Sequence, residues 1–157
     1  RVMEQVVNSQ AFRDAVTRGP EAQRPISNGG EPETAACEEG ASTYTWNVIS
    51  GQCLDNRAVR NRLIADDWQL TVVGERTPPA LWRGWPFVNE IGHRDGDRIV
   101  TKACKLGDMT DAELAGHLIH EYTHVLGFGH PYRDSPNRPY TVPYHVGNAA
   151  VLIAEGL

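Results

Sequence analysis

The stretch HEYTHVLGFGH runs from His120 to His130 and contains three histidines and a glutamate at spacings typical of a metal site. On an α-helix, His120 and His124 are four residues apart, so their imidazoles project from the same face. Two imidazoles at this spacing can bind one Zn²⁺, with Glu121 beside the metal. Gly127 lets the chain leave the helix through a left-handed conformation, which can bring His130 back as a third ligand. Three protein ligands leave one coordination position for water, as in catalytic zinc sites.

Glu121 is the candidate general base of such a site. It can polarise a zinc-bound water, take its proton and later deliver that proton to a leaving amine. The alternative is a glutamate on the surface of a helix, beside a zinc ion that performs no catalysis.

The same stretch resembles the extended zinc-binding motif of the metzincin metallopeptidases, H-E-x-x-H-x-x-G-x-x-H, and every fixed position matches. The resemblance covers the motif and its helix only. It implies a zincin-like fold of mixed α/β (α+β) class. In that fold a small twisted mixed sheet packs on the active-site helix, and a short C-terminal subdomain follows. It also implies zinc-dependent cleavage of peptide bonds.

Downstream of the motif, the chain departs from the metzincin pattern. Metzincins carry a methionine in a tight turn beneath the metal, after the third histidine. Here both methionines, Met3 and Met109, precede the motif. Val142 and Pro143 are the candidates for an apolar floor in its place.

Tyr144 resembles in position a tyrosine that some metzincins place near the metal. The resemblance therefore implies that Tyr144 ligates weakly or donates a hydrogen bond to the oxyanion of the reaction. The alternative is a loop tyrosine that packs on Pro143, and Tyr140 and His145 compete for the same role. His117 precedes His120 by three residues and could face the same cleft. It could be a competing ligand, a group that contacts a ligand, or a solvent-exposed side chain.

Hydrophobic periodicity predicts helices besides the one that contains the motif, at residues 2–18, 56–66 and 147–155. Aromatic and β-branched runs predict strands at residues 43–50, 68–73, 87–91 and 98–104. Turn and loop composition is found at residues 21–39, 93–97 and 131–143. The strands flanking residues 93–97 predict a hairpin at the edge of a sheet.

The motif helix is predicted to begin at Thr110, with Thr110 and Glu113 forming a capping box. Its apolar stripe is expected to pack on the sheet, and consists of Leu114, Leu118, Tyr122 and Val125, with Ala115 and Ile119 beside them. Its ionisable stripe is expected to face a cleft, and consists of His117, His120, Glu121 and His124.

Length and charge limit the organisation and the partners of the chain. Its 157 residues predict one domain, 1–157, with the sheet and active-site helix in 1–130 and a small C-terminal part in 131–157. A net charge of −5 argues against nucleic acid as a partner. No apolar run approaches the roughly 20 residues of a membrane span. The expected partner is a protein or peptide substrate, and the sequence predicts no oligomeric state.

The chain has three cysteines, of which Cys37 and Cys53 flank a strand-like run and are the favoured disulfide pair. Cys104 would then keep a free thiol. Three reduced, buried thiols are the alternative. A disulfide implies an oxidising compartment, so the protein is expected to be secreted or periplasmic, with its targeting segment absent from a sequence that opens at Arg1.

The sequence thus predicts a zinc endopeptidase, in which by resemblance the segment 87–104 binds extended substrate as an edge strand. An ordinary edge strand is the alternative for that segment. Two other functions stay open for the chain. One is a zinc-binding, toxin-like or binding protein without general proteolysis. The other is a zinc amidase that acts on a non-peptide or cell-wall amide.

Overall fold

The computed structural model describes residues 2–19, 45–47, 50–64, 71–75, 92–95, 98–130 and 138–157. In chain order these form α1 (Val2–Asn8), α2 (Gln10–Arg18), β1 (Thr45–Asn47), β2 (Gln52–Leu54), α3 (Asn56–Ile64), β3 (Thr71–Glu75), β4 (Gly92–Asp95), β5 (Arg98–Lys102), α4 (Ala103–Leu106), α5 (Asp111–Val125), a 3₁₀ helix (Arg138–Tyr140) and α6 (Val142–Ala154). The predicted α/β mixture is confirmed. No helix in these ranges is both long and apolar enough to cross a membrane.

The strands form two small sheets. Strands β1 and β2 pair in an antiparallel ribbon. The second sheet has the order β3-β5-β4, with β3 parallel and β4 antiparallel to the central strand β5. The mixed sheet and the edge hairpin of β4 and β5 are therefore confirmed.

Several predicted boundaries are wrong. The helix predicted over residues 2–18 is two helices, because the Ser9 side chain caps α2 by accepting from the backbone N–H of Phe12 at 3.1 Å. The strand predicted over 98–104 ends at Lys102, and α4 takes the last two residues. In the predicted turn 93–97, residues 93–95 belong to β4. The predicted loop 21–39 and strand 87–91 lie outside the described residues.

Helix α6 begins at Val142, well before the predicted start at residue 147. The segment Val142–His145 is consequently the first turn of a helix, whereas the sequence predicted a loop. The loop was predicted because the segment contains Pro143. Proline is tolerated in the first turn of a helix, where its missing N–H would have no partner within the helix. The extended Thr141 precedes the helix as its N-cap residue.

The core is formed mainly between helices, and only Ile99 comes from a described strand. Its buried side chains are Val6, Val7, Phe12, Val16, Val59, Leu63, Ile99, Ile119, Tyr122, Leu126, Phe128, Val142, Val146 and Ala150. The sequence predicted that the apolar stripe of α5 packs on the sheet, but α5 contacts α6 most extensively and also contacts α1, β4 and β5. On its ionisable side, His117 of α5 meets Thr101 of β5.

Two glycines allow the backbones of α5 and α6 to approach each other closely. A Cβ on Gly116 would clash with Val151 Cγ2 and lie 2.8 Å from the carbonyl oxygen of Gly147. A Cβ on Gly147 would lie 3.0 Å from His120 Cβ and 3.1 Å from the carbonyl oxygen of Gly116. The two backbones therefore touch beside His120.

We expect Gly116→Ala to lower the free energy of unfolding by about 1–3 kcal/mol, the usual cost of overpacking. Without the contact with α6, alanine would stabilise the helix relative to glycine by about 0.5–1 kcal/mol. A lower free energy of unfolding in Gly116→Ala would therefore be caused by the clash with α6. Urea denaturation measures it. The control is Gly107→Ala, because a Cβ there meets nothing within 4 Å. A Gly116→Ala protein as stable as the wild type would contradict the close packing.

Candidate metal centre

The start of α5 is fixed by the predicted capping box, which is confirmed. The backbone N–H of Glu113 donates to Thr110 Oγ1 at 3.2 Å, and the backbone N–H of Thr110 donates to Glu113 Oε2 at 2.8 Å. The Glu113 carboxylate accepts hydrogen bonds from the backbone N–H and the hydroxyl of Thr110, and these two bonds lower its pKa. The capping box thus fixes the start of α5 at its N-cap residue Thr110, ten residues before His120.

The end of α5 turns the chain back as the sequence predicts. Gly127 has a φ of 93°, in the left-handed region that favours glycine. The next residue, Phe128, donates its N–H to the carbonyl of Thr123 at 3.0 Å, and its side chain is buried. The buried Asn47 side chain donates to the carbonyl of Leu126 at 2.8 Å and ties β1 to this turn.

His120, His124 and His130 lie close enough together to bind one metal ion. Their candidate ligand atoms all lie within 4.8 Å of one another. Nε2 of His120 lies 3.2 Å from Nε2 of His130. Two nitrogens bound at 2.0–2.1 Å to a tetrahedral zinc ion are about 3.3–3.4 Å apart, so this separation suits a shared ion. The structure thus brings together the three histidines that the sequence selected.

A backbone carbonyl fixes the tautomer of His124. Nδ1 of His124 lies 2.8 Å from the carbonyl oxygen of Phe128. A carbonyl only accepts, so Nδ1 carries the proton and the lone pair is on Nε2. This contact is the outer-shell acceptor that metal-binding histidines generally have. The sequence did not reveal it, because every residue type has a backbone carbonyl.

His120 is held in the neutral form that a metal requires. Burial and, to a smaller extent, the charges of His124, His130, His117 and Arg138 together lower the pKa of His120 to about 2. Protons therefore do not compete for this imidazole near neutral pH.

Tyr144 lies against the histidine cluster. Its ring centroid is 4.7 Å from that of His120 and 4.8 Å from that of His130, both in edge-on arrangements. The guanidinium carbon of Arg138 lies 4.8 Å from the centre of the Tyr144 ring. Gly147, one turn further along α6, allows the close approach that places Tyr144 here.

His145, a competitor of Tyr144 in the sequence, is placed elsewhere. Its Nε2 lies 3.2 Å from the carbonyl oxygen of Ala15 in α2 and donates to it. Burial lowers the pKa of His145. The other competitor, Tyr140, ends the 3₁₀ helix that precedes α6.

Glu121 and His117 lie on α5 near the three histidines. Glu121 follows His120 directly and is only 5% exposed. Its Oε1 lies 3.9 Å from Nδ1 of His117. His117 is outside the group of three, and its Nε2 lies 3.0 Å from the hydroxyl of Thr101. This contact with β5 was not predicted from the sequence.

Cys53 is disulfide-bonded. The sequence predicted a disulfide for this residue, and Cys37, the favoured partner, lies outside the described residues.

No protein-family model, curated protein or solved structure matches the chain.

Proposed function

We propose that the protein is a zinc-dependent endopeptidase of the metzincin type. The observation that carries the proposal is the cluster of His120, His124 and His130 on one helix and its following turn, with Glu121 directly after His120 in the chain. The spacing of these residues along the chain is that of the metzincin motif.

Zinc is the metal that suits the donor set best. Neutral imidazoles bind Zn²⁺ well, and three of them leave a position for water. Imidazole also suits copper and nickel, so analysis of the bound metal is part of the test.

The residues of the chain then have separate roles. The ion, when bound, supplies a water of lowered pKa and polarises the scissile carbonyl. Glu121 takes the proton of the attacking water and returns it to the leaving amine. The burial of Glu121 shields this exchange from bulk solvent.

Two further features support the proposal. Strand β4 is at one edge of the sheet β3-β5-β4, where an extended peptide can add as a further strand. The disulfide at Cys53 favours an oxidising compartment, and hence a secreted or periplasmic enzyme that acts on protein or peptide substrates.

Metal analysis and a peptide-library digest test the function together. We expect zinc-loaded protein to cleave peptides at internal bonds, chelator-treated protein to be inactive, and added zinc to restore cleavage. Mass spectrometry identifies the cleaved bonds. Fully zinc-loaded protein that cleaves no peptide in the library would overturn the endopeptidase proposal.

The phenol of Tyr144 is proposed to donate a hydrogen bond to the oxyanion. Removal of one oxyanion donor typically costs about 10²–10³-fold in kcat, so we expect a loss of that order in Tyr144→Phe. KM and zinc content should change little, because the ring and the three histidines remain. Steady-state kinetics on a cleaved library peptide measures the change. An unchanged kcat would reduce Tyr144 to a packing residue.

A further inference from the structure

A line of three polar groups leads from the sheet to Glu121, in which Thr101 and Glu121 are buried and His117 between them is partly buried. Thr101 has no exposed surface, and its Oγ1 lies 3.0 Å from Nε2 of His117. On the other side of the imidazole, Nδ1 lies 3.9 Å from Oε1 of Glu121. Thr101 belongs to β5, which is paired on both sides by β3 and β4, so its backbone position is well supported.

The two neighbours of His117 together select one tautomer. Burial lowers the pKa of His117, which favours a neutral ring with a single proton. The Glu121 carboxylate attracts a ring N–H and repels a ring lone pair, so the proton is placed on Nδ1. Nε2 then has the lone pair and accepts from the Thr101 hydroxyl. The reverse tautomer would set the lone pair of Nδ1 against the carboxylate.

We infer that His117 is a positioning residue that orients the Glu121 carboxylate, and that Thr101 fixes the tautomer through which it does so. At 3.9 Å the contact of His117 with Glu121 is electrostatic, longer than a hydrogen bond. It biases the rotation of the carboxylate about its last side-chain bond. The inference rests on the proposed role of Glu121 as the base that accepts the water proton.

Two other roles for His117 are less consistent with its contacts. As a fourth metal ligand it would use a ring nitrogen, but Nε2 is taken by Thr101 and Nδ1 lies towards Glu121. As a simple link between α5 and β5 it would need only the Thr101 contact, and either tautomer would serve.

The tautomer is tested without any activity measurement. The full-length protein, both metal-free and zinc-loaded, is labelled with ¹⁵N-histidine, and two-bond ¹H–¹⁵N correlations distinguish protonated from bare ring nitrogens. His117→Asn identifies the His117 signals by their loss. We expect a proton on Nδ1 and a shifted Nε2 signal in Thr101→Val. A proton on Nε2 would overturn the inference.

Two substitutions separate orientation of Glu121 from attachment to β5. His117→Asn keeps an amide nitrogen close to the position of Nδ1, whereas His117→Gln places its amide near Nε2. Loss of an outer-shell partner typically costs about 10–100-fold, so we expect a loss in kcat of that order in His117→Gln and a smaller one in His117→Asn. KM and zinc stoichiometry should be unchanged in both. The opposite order, or equal and full activity in both, would overturn the inference.

A second pair of variants covers the case in which substitutions at His117 prevent folding. Thr101→Ser keeps the hydroxyl and should lose less kcat than Thr101→Val, which keeps only the volume. Equal losses in the two would contradict the tautomer role of Thr101. If zinc-loaded wild type cleaves no peptide, the proposed function fails, and the NMR experiment alone decides the inference on His117.

Discussion

Replacement of Glu121 by glutamine is expected to leave the zinc content unchanged and to lower kcat/KM for peptide cleavage by about 10²–10⁴-fold, the usual contribution of general acid–base catalysis. Glutamine has the volume of glutamate, so the buried side chain keeps its packing against its neighbours. It cannot accept the proton of the attacking water at neutral pH. The three histidines are untouched, and the metal should therefore stay bound.

Metal analysis and steady-state kinetics on one library peptide measure the two effects separately. The matched control is Glu113→Gln on the same helix. The Glu113 side chain is exposed and accepts from the backbone N–H of Thr110, which a glutamine oxygen can also do. Activity close to that of wild type is expected there. Cleavage that survives in Glu121→Gln would exclude Glu121 as the base, and loss of zinc would make it a ligand.

The features of the site that the sequence predicted correctly depend on residues close together along the chain. A capping box, two histidines four residues apart and a left-handed glycine each set the backbone within a few residues of themselves. The confirmed start of α5, the turn at Gly127 and the meeting of the three histidines follow from such local rules.

Contacts distant in sequence were not predicted. Asn47 binds the carbonyl of Leu126, and Thr101 binds His117, but neither side chain belongs to a pattern that names its partner. The packing of α5 on helices was missed for a similar reason. Periodicity identifies the apolar face of a helix and does not say whether a sheet or another helix covers it.

The sequence contains one sign of the α5–α6 contact. Gly116 lies inside the predicted motif helix, where glycine is destabilising unless packing requires it, whereas Gly147 is only the first residue of the predicted C-terminal helix. Both lie at the contact, and Gly147 backs His120 directly. Helix α6 therefore packs against the backbone and Cβ of His120. Tyr144, on the same face of α6 one turn earlier, is brought to the histidines with it.

Removal of His130 is expected to weaken zinc binding the most among substitutions outside α5. Loss of an outer-shell partner already costs about 10–100-fold in metal affinity, so we expect His130→Ala to cost more than 100-fold. His120 and His124 share one face of a rigid helix and would remain as a two-nitrogen site. Competition with a chromogenic chelator at fixed pH measures the affinity.

The control for His130→Ala is His145→Ala, because His145 is a histidine of similar burial that donates to Ala15 and lies outside the cluster. Its zinc affinity should match the wild type, even if the lost hydrogen bond lowers stability. Thermal unfolding gives an independent readout, since a ligand that binds only the native state raises the melting temperature according to its concentration relative to Kd. Zinc should therefore raise the melting temperature of wild type and His145→Ala far more than that of His130→Ala. Equal shifts in all three proteins would show that another residue provides the third ligand, and Tyr144, whose ring contacts both His120 and His130, would be the next to replace.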